Sequence, residues 1–161
     1  MRNLLAILCC LIGIQYNSSA QSTLALQTAS INGVTVITPT YSNLFKLLSA
    51  STEDFIASVT DLHYTQSKPG EPNTYQATSP GQVYNVDKET KEIDIFFTDN
   101  ASFARAAKDD LLLRYPDAKH KSMDKGIEAY YFDLHDGSGG YWMLFDLPAD
   151  GGGGVTLLQL D

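Results

Sequence analysis

The sequence predicts an α+β fold: an antiparallel β-sheet of about five to seven strands with two or three helices on one face, in the order ββ-α(α)-ββ-α-βββ. Three observations predict it. Short β-rich runs come in pairs joined by turn residues, as hairpins do. Two stretches carry apolar residues at helical spacing. The last third alternates apolar and polar residues, the period of a sheet covered on one side.

The N-terminus reads as a leader. Met1-Arg2-Asn3 is followed by an unbroken apolar run, Leu4 to Ile14, and then by Ser18-Ser19-Ala20. That is the three-part plan of a secretory signal peptide cut after Ala20. The run is shorter than the roughly 20 residues that span a bilayer. Lipid anchoring on Cys9 or Cys10 fits less well, because Leu8 and Cys9 are not the small residues such a signal prefers. The expected organisation is a signal peptide over 1–20 and one α+β domain over 21–161. The expected destination is the periplasm or the outside of a bacterial cell. No transmembrane segment is expected in the mature chain.

Both cysteines lie in the leader. The mature chain would then hold no disulfide, cysteine–zinc site, iron–sulfur cluster or cysteine nucleophile. About 140 residues suffice for one self-supporting core. The net charge is −8, and loss of Arg2 makes it more negative. Nucleic acid and anionic lipid are disfavoured, since both call for a cationic face. The same charge predicts a soluble monomer.

The elements follow in order. Asn32-Gly33 between Leu24–Ile31 and Val34–Thr38 is a two-residue hairpin signal, because both residues tolerate positive φ. Leu44, Leu47 and Leu48, then Phe55, Val59 and Leu62, follow helical spacing. They predict helices near 42–49 and 52–62, the second capped from Ser51. Residues 65–81 carry three prolines and two glycines and read as a long loop. Val83 to Phe97 reads as a hairpin turning near Asp87–Thr90. Phe103, Ala107, Leu111 and Tyr115 mark a helix capped by Asp99 or Asn100 and stopped by Pro116. Three strand-like runs close the chain. The helix–hairpin order starts at 42 and again at 100, which hints at an internal duplication without a residue-level repeat.

Candidate chemistry centres on "HDGSGGYW", His135 to Trp142. A phosphate cradle needs a helix after the glycines, but a strand pattern follows. A calcium loop counted from Asp133 meets His135 and Gly137 where oxygen ligands belong, and Leu144 where the twelfth-position Glu belongs. Ser138 lacks the G-x-S-x-G frame and its strand-to-helix elbow. The glycines therefore read as a hairpin tip. His63, His120 and His135 are too scattered for a zinc pattern, and the Asp133/His135 pair has no third ligand. No metal and no cofactor are expected.

Two functional readings remain. The first is a non-enzymatic module that binds a protein, with a basic partner suited to the acidic charge, and with an inhibitor or immunity-like role. Its contact residues are taken as Tyr75, Tyr131 and Trp142, since aromatic rings with polar tips are common at interfaces. The second is a small hydrolase or carbohydrate-acting enzyme using Asp133, His135 and Asp146, with the two carboxylates on facing strands.

Overall fold

The computed structural model describes residues 24–160 apart from 72, 80–81, 99–100, 124–125, 135–138 and 148–151. The expected leader and the expected caps Asp99 and Asn100 lie outside the described residues. The elements are β1 (Thr28–Ile31), β2 (Val34–Ile37), α1 (Tyr41–Ser49), α2 (Thr52–Asp61), β3 (Thr65–Gln66), β4 (Thr74–Ser79), β5 (Gln82–Lys88), β6 (Glu92–Phe97), α3 (Ala101–Arg114), β7 (Lys119–Ser122), β8 (Ile127–Asp133), β9 (Gly140–Asp146) and β10 (Gly153–Gln159). The class is α+β, as the patterning predicts.

Strand number departs from expectation. The main sheet has eight strands, ordered β3-β4-β5-β6-β10-β9-β8-β7, and β1-β2 forms a separate ribbon. Every pairing is antiparallel. The strands without a sequence signal are β3, β4 and β7. β3 is two residues long, and β7 reads Lys-His-Lys-Ser with all four residues exposed. The loop expected over residues 65–81 is corrected too, because β3 and β4 occupy much of it. Polar side chains there hid a strand whose only large apolar residue is Tyr75.

The first hairpin turns where expected, with Asn32 at φ 49° and Gly33 at φ 81°. Its attachment was not legible. Buried Asn43 on α1 accepts from the Gln27 amide and donates to the Gln27 and Thr38 carbonyls. The Ile37 amide donates to the Tyr64 hydroxyl. Burial pushes that hydroxyl up to about 12.

α1 is capped by Thr40 and α2 by Ser51, each accepting from an amide in the first turn. α2 is closed beyond its cap residue Leu62 by His63 at φ 65°, with the His63 amide donating to the Thr60 carbonyl and the Tyr64 amide to the Val59 carbonyl. These are the two bonds of a Schellman cap, with histidine in the place glycine usually takes. His63 thus has a structural explanation.

The main sheet is built from two four-stranded meanders. Each is preceded by helix, and each runs from an outer edge to the centre, where β6 and β10 pair antiparallel. A pseudo-two-fold axis perpendicular to the sheet relates them. The registers set the equivalences: Tyr75 matches Tyr130, Tyr84 matches Tyr141, Ile93 matches Val155, and Ile95 matches Leu157. All eight side chains point inward and are buried. With Leu44, Leu47, Phe55, Ala104 and Leu111 from the helices, they form one continuous core. The duplicated helix–hairpin order is therefore a duplicated topology.

Candidate functional site

The site candidates sort by sheet face. Side chains alternate along each strand, so register decides which face a residue serves. Helices and the first hairpin pack on the inner face. Among the described residues, nothing is laid over the outer face.

Tyr75 is inward and 7% exposed, with its ring edge-on to Phe55 at 5.8 Å. Its ring is committed to the core and is not offered to a partner. Tyr64 and Tyr84 are buried as well. Tyr131 and Trp142 are outward, half-buried and directly paired across β8 and β9. Their ring centroids are 5.6 Å apart, and the Lys119 ammonium sits 5.9 Å from the Tyr131 centroid.

Asp133 and Asp146 are not brought together. Asp133 pairs with Gly140 at one end of the β8–β9 hairpin, and Asp146 with Ile127 at the other. Six residues of strand separate them, about 20 Å at roughly 3.4 Å per residue. Glycosidic carboxylate pairs lie within about 10 Å. His135 and Ser138 lie outside the described residues. Among the described residues, no group of three His, Cys, Asp or Glu side chains could hold a metal ion. None of their helices is long and apolar enough to cross a membrane.

Two outward rows cross the sheet through directly paired residues. One reads Lys119, Tyr131, Trp142, Leu158, Glu92. The other reads Lys121, Ala129, Leu144, Thr156, Asp94, Asp87, Thr74. The face therefore passes from a cationic edge, through an apolar middle, to an acidic stretch. Leu144, Leu158, Trp142, Ala129, Met123 and Lys121 line a shallow concavity of about 280 Å³. None of the first four belongs to the core cluster. Phe96, 42% exposed, extends the apolar surface over β6.

Glycines let the outer rings lie close to the backbone. A Cβ on Gly154 would come within 2.4 Å of the Phe96 ring, and one on Gly140 within 2.5 Å of the Tyr131 ring. The glycines at these two positions thus flatten the face, a role apart from turn formation.

At the acidic stretch, Asp87 and Asp94 stand directly opposite each other on β5 and β6, with Glu92 on the same face. The Thr74 hydroxyl donates to Asp87 at 3.0 Å, and the Thr156 hydroxyl donates to Asp94. Burial first, and the neighbouring Glu92 and Asp87 after it, push the Asp94 carboxyl up to about 6, while the Thr156 hydrogen bond pulls the other way.

Sequence reading missed Leu144, Leu158, Asp87 and Asp94. A signal for Leu144 existed, since it shares a strand face with Trp142. The Asp94–Thr156 contact spans 62 residues and depends on the β6–β10 pairing, which no local pattern announces.

A second concavity, about 510 Å³, lies beside the last turn of α3 and the far end of β8. Arg114, Lys119, Asp117 and Asp133 bring both signs of charge to it.

No protein-family model, curated protein or solved structure matches the chain.

Proposed function

We propose that the protein is an exported, non-enzymatic binding module that grips a protein partner with the outer face of its sheet. The observation that carries the reading is the uncovered apolar middle of that face, Tyr131, Trp142, Leu144 and Leu158. Antiparallel sheets with one solvated face ordinarily place polar residues there. Contiguous apolar surface rimmed by polar side chains marks interaction sites. Tryptophan, tyrosine and methionine are the residues enriched in such patches.

Edge pairing is the other way a sheet recruits a partner, and both edges argue against it. β3 offers two residues, while β7 is short and carries Lys119 and Lys121, the charged edge that opposes strand addition. Recognition is left to the face. Neutralising a basic protein of the cell envelope, as an inhibitor or immunity-like factor, is the role this acidic surface suits.

The test compares the tagged chain with Trp142→Ala and Leu144→Asp as baits against an envelope fraction. A partner held by the wild-type chain, lost to both variants and weakened by salt is the expected result. A central aromatic anchor of this kind is worth about 2 kcal/mol or more, roughly 30-fold in affinity. A partner retained equally by all three baits sinks the reading.

A further inference from the structure

We propose that the outer face selects a protein segment carrying a large apolar side chain and, about 10 Å from it, a lysine or arginine. This rests on the protein-binding reading above and names the partner's chemistry. The apolar group enters the concavity between Trp142, Leu144, Leu158 and Ala129. The cation lies over Asp94 and Asp87.

The geometry fixes the spacing. Leu144 and Asp94 share one cross-strand row with only Thr156 between them. Two strand steps of about 4.8 Å separate them. Residues three apart in a polyproline II segment, which has three residues per turn, present both side chains on one side across that distance, and so do residues two helical turns apart.

Charge decides the sign of the partner. The outward positions of β4, β5, β6, β9 and β10 include Asp87, Glu92, Asp94 and Asp146, with neither lysine nor arginine among them. Like charges directly opposite on neighbouring strands destabilise a sheet. Asp87 and Asp94 are so placed, and a bound cation between them relieves the repulsion. The raised Asp94 carboxyl is consistent with that cost. Anionic lipid and nucleic acid meet the same carboxylates and are repelled. A second copy of the chain brings its own acidic stretch and its own net charge of −8.

A random-peptide display selection on the immobilised folded chain tests this, with melting temperature as the fold control for every variant. Expected are recovered peptides that combine Lys or Arg with a large apolar residue. Their binding should fall at least tenfold on Leu144→Asp and on the Asp87→Asn/Asp94→Asn pair, and stay unchanged on Arg105→Ala, on the helical side. Peptides that need Trp142 but carry no basic residue overturn this inference and leave the protein-binding reading standing. Failure to recover any peptide sensitive to the face variants retires both. A chain that sediments as a dimer, dispersed by Leu144→Asp, gives the face to a second copy and overturns the proposal.

Discussion

Tyr75 and Tyr130 occupy matching inward positions in the two halves of the sheet, as do Tyr84 and Tyr141. Their outward neighbours differ. Gln76 matches Tyr131, Asn85 matches Trp142, and Asp87 matches Leu144. The inner positions answer to one shared core, where lost volume is felt at once. The outer positions stand outside that core, so they are free to specialise. The first half, apart from Phe96 on β6, presents a polar and acidic surface, as a solvated sheet face should. The second is apolar against that rule, and the proposed recognition rests on that departure.

The largest expected effects test whether the inner faces are equivalent. Ile95→Ala and Leu157→Ala remove fully buried side chains at matching positions. Each should cost about 2–5 kcal/mol. Urea titration followed by both circular dichroism and Trp142 fluorescence should give one coincident transition for each variant. Two separated transitions would divide the halves into independent units and break the comparison.

A smaller effect tests where the symmetry fails inside. Lys88 matches Phe145, yet it is a buried cation. Its ammonium donates to the Leu47 and Ala50 carbonyls at the end of α1 and lies 5.5 Å from the Phe55 ring centroid. Burial holds that ammonium below the usual lysine range. Lys88→Met leaves both carbonyls without this donor and should cost about 1–3 kcal/mol in denaturant unfolding. A neutral result would mean that an apolar residue serves there as well as it does at Phe145.

The smallest effect concerns the outer face. Because Asp94 titrates at about 6 in the fold and lower when unfolded, folding takes up protons between those values. Its contribution is therefore most favourable at low pH and is lost as pH rises through about 6. Asp94→Asn should raise the melting temperature at pH 7.5, by a gain of order 1 kcal/mol after solvent screening, and give little gain near pH 4. A gain that does not depend on pH would assign the effect to packing and remove the electrostatic half of the contrast.

Much of this fold was legible in the chain. The Asn32-Gly33 turn, the Ser51 cap, the leucine spacing of α1 and the alternation in β8 and β9 each report a local constraint, and each element formed where its signal lay. β3 and β7 were not legible because edge strands are short and polar for the same reason that they resist aggregation, and β4, Thr-Tyr-Gln-Ala-Thr-Ser, was not legible because Tyr75 is its one large apolar residue. Tyr131 and Trp142 were readable as outward, while Tyr75 was not readable as buried. Its neighbours gave no alternation, and only pairing with β3 and β5 put it beneath Phe55.

The sequence by itself determined the class, the helices, the central hairpins and the acidic charge, all of which follow from local periodicity or composition. Tertiary structure decided the geometry of the outer face. It paired β6 with β10, joined two meanders into one sheet, separated Asp133 from Asp146, and aligned a lysine edge, an apolar middle and an acidic stretch in two rows. Register between distant strands does this, and register is a property of the paired sheet that no single strand carries.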